Sequence, residues 1–220
     1  MPENNDVAII WDMDGVIVDT AIYHLKSWQQ VLHNREVEFT GEDFKRSFGQ
    51  RNDTIIRKIL GDDVSQDEIS AIAIEKEAIF RCLIKPNLKS LPGVIELLKA
   101  LVDKGFSQAL VSSAPLENIN LLVDGLGILK SFQCIISGED VTEGKPSPQG
   151  FLLAAEKLEV KPEKCIVIED AVAGVSAAQR AGMCCLAVTN THPRGSLLEA
   201  DLIVDSLEAV NIGDLEDLLK

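Results

Sequence analysis

Positive charge is scarce in this chain: Lys and Arg number 21 against 35 Asp and Glu, a formal net charge of −14. An acidic field of that size repels a nucleic-acid backbone and an anionic membrane face, so no nucleic-acid partner is expected. An anionic substrate would have to be drawn by a local arrangement of Lys, Arg, backbone N–H groups and metal, which raises the weight of every basic residue near a site. Long hydrophobic runs are missing as well. No uninterrupted apolar stretch approaches the ~18 residues of a membrane span, and no charged start followed by an apolar segment opens the chain. No membrane partner is expected, and the cytoplasm is the default location. The five cysteines, Cys82, Cys134, Cys165, Cys184 and Cys185, are odd in number and show no CxxC or Cys/His ligand spacing. They read as core thiols of a reducing compartment. Internal repeats and low-complexity segments are also lacking.

What the chain does have is a series of short apolar runs closing on polar residues: VAIIWD at 7–12, QALVSS at 108–113, QCIIS at 133–137, KCIVIED at 164–170, CCLAVT at 184–189 and DLIVD at 201–205. Runs that are apolar at every position suit strands covered on both faces, as in a parallel sheet. Between them, residues 93–104, 115–126, 148–158 and 173–181 carry apolar residues at three-to-four spacing, the helical period. Alternation of this kind predicts an α/β fold, a doubly wound parallel sheet of Rossmann type, with ligands gathered at the carboxyl ends of the strands. About ninety residues separate the first two strands, too many for a single crossover, with helical patterns near 20–33, 42–48, 52–60 and 66–84. Residues 20–86 are therefore expected to form an inserted helical cap domain, with 1–19 and 87–220 making the α/β core.

The strand ends carry the chemistry. AIIWDMDG at 8–15 finishes an apolar run with Asp12 and Asp14, and like charges so close cost free energy unless a cation or a retained proton relieves them. Ser112 and Ser113 follow the second strand, Lys145 the third, and Glu169 with Asp170 the fourth. Clustered carboxylates suit Mg²⁺, and a lysine with a hydroxyl can balance the oxygens of a transferring phosphoryl group. With Mg²⁺ holding it ionised, Asp12 can attack phosphorus to form an aspartyl phosphate, while Asp14 protonates the leaving oxygen and later takes a proton from water. Gly15 lets the backbone turn sharply enough to aim both side chains inward.

DMDG at 12–15, the Ser112 strand end, GKPSP at 144–148 and VIEDAVAG at 167–174 resemble, in order, the four motifs of the haloacid dehalogenase-like superfamily. The helical insertion after the first motif, and DTAIYH at 19–24, resemble the branch that holds β-phosphoglucomutase and its phosphatase relatives. The resemblance implies Asp12 as nucleophile and metal ligand and Asp14 as general acid/base, giving its backbone carbonyl to the metal. It implies Ser112 and Lys145 as phosphoryl ligands, and Glu169 and Asp170 as completing the Mg²⁺ site. In the insertion, Thr20, His24 and Arg51 are candidate substrate contacts, Arg51 lying beside Asn52, which stands where the mutase has an arginine. Arg81 is placed near a substrate-gripping lysine only by allowing a gap.

The expected function is thus a Mg²⁺-dependent phosphatase for a small phosphorylated metabolite, most plausibly a sugar phosphate, acting as a monomer or weak dimer. The alternative is a phosphomutase of β-phosphoglucomutase type. A calcium loop is argued against by Val16 and Ile17 where ligand oxygens and glycine belong, and a Walker A loop by Pro146 in place of Ser or Thr. A receiver domain would keep its acceptor Asp on the third strand, and QCIIS ends without one. His33 and His192 have no nearby partners in sequence and read as structural.

Overall fold

All six apolar runs are strands: β1 (Ala8–Trp11), β2 (Ser107–Val111), β3 (Cys134–Ile136), β4 (Cys165–Glu169), β5 (Cys184–Val188) and β6 (Leu202–Val204). The computed structural model describes residues 6–47 and 49–220. Every strand pair is parallel, in the order β3-β2-β1-β4-β5-β6. β1 and β4 are buried at every position, which the two-sided cover of a doubly wound sheet demands. Register is fixed by these apolar runs: Trp11 lies opposite Leu110 on one side and Ile168 on the other. The strand order reverses direction between β1 and β4, and such a switch point opens a crevice at the carboxyl ends of the two strands.

The chain divides into two compact units, one comprising Lys89–Lys220 with the segment up to Asp19, the other Thr20–Leu88. The second unit holds α1 (Ala21–His33), α2 (Gly41–Ser47), α3 (Asn52–Leu60) and α4 (Gln66–Ile84). The end of the helix expected over 42–48, at Phe48, lies outside the described residues. The unit closes two residues later than 86, because a 3₁₀ turn at Lys85–Asn87 prolongs α4. Its core is Trp28, Val31, Leu32, Ile56, Ile69 and Ile72, one apolar stripe from each of three helices.

In the first unit, α5 (Val94–Lys104), α6 (Leu116–Leu126), α7 (Gln149–Lys157) and α8 (Val172–Arg180) cover the sheet. Phe151 of α7 and Val175 of α8 pack with Ile10, Val111 and Val167 of the central strands. α9 (Ile212–Asp217) was not expected from periodicity. It is six residues long and begins on a capping box between Asn211 and Asp214, a local hydrogen-bond signal rather than an apolar stripe. Beneath the crevice, the Trp11 indole N–H donates to Gln108 Oε1 at 3.0 Å, so the buried polar group next to Asp12 is satisfied. No helix of the described residues is long and apolar enough to cross a membrane.

Candidate active site

β1 ends with the Asp12 amide donating to the Ile168 carbonyl at 2.9 Å, which pins the first aspartate against β4. The chain then turns tightly: Ile17 and Val18 donate to the Met13 carbonyl, and Gly15 donates to Val18 at 2.8 Å. Gly15 has φ +82°, and a Cβ there would lie 1.8 Å from Asp170 Oδ2 and 2.6 Å from Thr191 Oγ1. Both the left-handed backbone and the close approach require glycine. Sequence position alone suggested the turn; the crowding that enforces it comes from elements more than a hundred residues away.

β4 delivers the second pair of acids. Glu169 is 1 % exposed and fully engaged, with Oε2 accepting from the amides of Asp170 (2.8 Å) and Ala171 (2.9 Å) and Oε1 accepting from Lys145 Nζ at 2.6 Å. A Cβ at Gly174 would sit 1.7 Å from Glu169 Oε1, so this glycine of α8 leaves room for the carboxylate. Lys145 also donates to Asp12 Oδ1 and lies over the Phe151 ring, 5.0 Å from its centroid. Ser112 Oγ donates to Asp14 Oδ2 at 3.3 Å and accepts the Ala114 amide at 3.1 Å. Hydrogen bonds therefore join Asp12, Lys145, Glu169 and the Asp170 amide, and separately Ser112 and Asp14, all within one unit and on the segments that follow β1, β2, β3 and β4.

The electrostatics of the group are unbalanced. Asp12, Glu169 and Asp170 each offer a carboxylate oxygen within 4.8 Å of the others, while among the described residues only Lys145 donates a side-chain charge to them. Burial pushes Asp12 up to about 8, against the pull of the Lys145 ammonium, with Glu169 and Asp14 adding to the rise. Burial also lifts Asp170 well above the carboxylate range, Glu169 and Asp12 reinforcing it. Lys145, although buried, is held firmly in its charged form by Asp12 and Glu169. Asp170 Oδ2 is a buried oxygen with no hydrogen-bond partner among the described residues. A buried, unpartnered acceptor is costly, and an all-oxygen set with surplus negative charge fits a hard divalent cation such as Mg²⁺.

Ser113 is half-buried, and α6 begins on Pro115 without a side-chain cap, so neither serine closes that helix end. The remaining candidates lie in the helical unit. Thr20 is fully buried, and its carbonyl accepts the amides of Tyr23 and His24 at the start of α1. Arg51 precedes α3 and pairs with Asp53 at 3.4 Å. His24 is buried, stacked on Phe80 with ring centroids 4.0 Å apart, and its Nδ1 accepts from the Lys76 ammonium at 2.8 Å. Lys76 also pairs with Glu77 at 2.8 Å, and Asn52 donates to the same Glu77 oxygen at 2.8 Å. Burial opposes the charge on Glu77, yet Lys76 and then His24 hold its carboxyl below the usual range. Sequence reasoning did not single out this cluster, because EKE on an amphipathic helix looks like a solvated face.

Two further residues near the first unit's site were not among the candidates. Thr191 brings a hydroxyl beside Gly15 and Asp170. His192, read as structural with no nearby partner in sequence, has Nδ1 3.2 Å from the Asp170 carbonyl; a carbonyl can only accept, so Nδ1 carries the proton. Neither could be found from spacing, since both sit in an irregular loop after β5.

Residues 7–182 match the model of the haloacid dehalogenase-like hydrolase family. Among curated relatives, the chain is 34 % identical over 212 residues to a 5-amino-6-(5-phospho-D-ribitylamino)uracil phosphatase of Arabidopsis thaliana, covering 95 % of this chain and 57 % of the relative. It is 33 % identical over 204 residues to β-phosphoglucomutase of Bacillus subtilis, covering 90 % of this chain and 88 % of that one. Among solved structures, a β-phosphoglucomutase from Clostridium difficile superposes with TM-score 0.89 at 29 % identity, over 96 % of both chains. Matched motifs, fold and relatives agree: the chain belongs to the haloacid dehalogenase-like hydrolases, in their β-phosphoglucomutase-like branch.

Proposed function

We propose that this protein is a Mg²⁺-dependent phosphatase that hydrolyses a small phosphomonoester, a sugar phosphate in the first instance, in the cytoplasm. The observation that carries the reading is the convergence at the β1/β4 switch point of Asp12, Lys145 and an Asp170 oxygen that has no hydrogen-bond partner among the described residues. Asp12, Asp170 and the Asp14 carbonyl would hold the ion, with Glu169 beside them. When bound, Mg²⁺ would supply the positive charge that keeps the buried carboxylates ionised and offsets the charge of a phosphoryl group.

The residues divide the remaining work. Asp12 attacks phosphorus; a bond forms between its carboxylate oxygen and phosphorus while the ester P–O bond breaks, and Asp14 gives its proton to the departing alcohol. Water then attacks the acyl phosphate, Asp14 takes its proton, and inorganic phosphate leaves with Asp12 restored. Lys145 and Ser112 bind the phosphoryl oxygens that carry charge in both steps. Glu169 holds Lys145 in position, since one carboxylate oxygen grips the ammonium and the other grips the β4–α8 backbone. In the helical unit, Thr20, His24 and Arg51 are proposed substrate contacts. Similarity to a ribitylaminouracil phosphatase and to a sugar phosphomutase supports a small phosphorylated metabolite as substrate.

The test is a panel of phosphorylated sugars, nucleotides and small acids assayed for phosphate release with Mg²⁺ and with chelator. Release from at least one sugar phosphate, abolished by chelator, is expected; chelator-resistant release or none across the panel overturns the reading. The kinship with β-phosphoglucomutase favours one second reading, transfer of the same phosphoryl group to a sugar hydroxyl. Incubation with β-glucose 1-phosphate and a trace of bisphosphate separates the two: a mutase yields the 6-phosphate, a phosphatase inorganic phosphate.

A further inference from the structure

Three loops meet at one point of the site, and only two of them carry the motifs already assigned. Gly15, after β1, is packed so closely that a methyl group there would strike Asp170 Oδ2, after β4, and Thr191 Oγ1, after β5. The next residue on that third loop, His192, donates Nδ1–H to the Asp170 backbone carbonyl at 3.2 Å. Asp170 thus meets two consecutive residues of that loop, its carbonyl bound by the His192 imidazole and its carboxylate beside the Thr191 hydroxyl. Asp170 is 1 % exposed, and its Oδ2 takes no hydrogen bond among the described residues. That pattern crowds the carboxylate between Gly15 and Thr191 and leaves Oδ2 uncommitted.

We propose that Thr191 and His192 are positioning residues that orient Asp170 toward the divalent cation and so set the affinity of the site for Mg²⁺. The proposal rests on the reading of Asp12, Glu169 and Asp170 as the ion's surroundings. Its physical basis is general: partners behind a ligating carboxylate reduce the freedom it loses on binding, and their removal costs about 10–100-fold in metal affinity. The Thr191 hydroxyl stands beside the Asp170 carboxylate, and the His192 donor on the Asp170 carbonyl stops the peptide after β4 from rotating the side chain away. Neither residue has to touch substrate or the reacting atoms.

Isothermal titration of the full-length protein with MgCl₂ alone, without substrate, reads this directly. Thr191→Val, which removes the hydroxyl at nearly constant volume, and His192→Ala, which removes the donor, should each raise the Mg²⁺ dissociation constant about 10–100-fold. Thr191→Ser keeps the hydroxyl, and His192→Asn places an amide N–H where Nδ1–H was; both should stay within a few-fold of wild type. Melting temperatures in EDTA provide the control. If Thr191→Val or His192→Ala also melts early, affinity that tracks the restored donor in the Ser and Asn variants supports the clamp, and affinity that tracks melting temperature overturns it. Variants that bind Mg²⁺ like wild type overturn the clamp alone; a wild type that binds no Mg²⁺ overturns the metal reading beneath it.

Discussion

Each unit holds a buried cluster of charge among the described residues, and the two are built on opposite principles. In the helical unit, Lys76 faces Glu77, with the His24 lone pair and the Asn52 amide among their contacts. Charge is balanced, aromatic rings enclose it, and Glu77 is held ionised. At the β1/β4 crevice, three acids crowd together while one lysine pairs with two of them, Asp12 is driven up to about 8, and an Asp170 oxygen has no partner among the described residues. Similar residue types produce a self-sufficient network in one place and an unsatisfied one in the other. A surplus of one sign that folding does not neutralise is what a ligand of the opposite sign can complete.

The sharpest way to break the comparison is to remove an acid from each cluster. Asp12→Asn should lower turnover by at least about 10⁴-fold, the scale of losing a covalent nucleophile. Because the carboxamide resembles the protonated acid that burial already favours, the melting temperature of the metal-free protein should not fall. Phosphate release together with thermal melting in EDTA checks both halves, and a variant that retains turnover defeats the assignment. Lys145→Ala, which removes the one cation shared by Asp12 and Glu169, should cut kcat/KM by about 10²–10³-fold.

Glu77→Gln reverses the pattern. It removes the carboxylate that pairs with Lys76, itself 2 % exposed, at 2.8 Å, and breaking a buried pair this way costs about 3 kcal/mol or more. Chemical denaturation should show that loss; an unchanged midpoint would mean the pair contributes nothing. The smallest effect is its pH dependence. The folded carboxyl titrates below its ordinary value of 4.5, so its contribution is full above about pH 4.5 and fades as pH falls through the folded value. The stability gap between wild type and Glu77→Gln should therefore narrow below pH 4.5, and a gap that widens would contradict the assignment.

Much of this architecture was readable before any coordinates. Strands buried on both faces leave continuous apolar runs, and β1 and β4 announced themselves through AIIW and CIVIE. Because ligands gather where strands end, Asp12, Ser112, Lys145 and Glu169 could be placed on one rim from their positions after those runs. α9 escaped because a short helix secured by a cap leaves no periodic stripe. Thr191 and His192 escaped because their meaning lies in what they touch across the fold, Gly15 and Asp170, and a loop encodes no period that would reveal it. Lys76 and Glu77 were hidden for a related reason: burial of a charge on an amphipathic helix depends on the partners folded over it, here His24 from α1 and Asn52 from α3.

The central claim is that the crowded acids of the crevice are tolerated because a divalent cation completes them. Thermal melting of the wild-type protein against increasing MgCl₂, beside Asp170→Asn, tests it most directly. Binding to the folded state alone stabilises by about 2.7 kcal/mol at a hundred times the dissociation constant, so the wild-type transition should climb steadily with Mg²⁺ while that of Asp170→Asn stays nearly flat. A wild-type transition indifferent to magnesium, or a variant that climbs in parallel with it, would contradict the account.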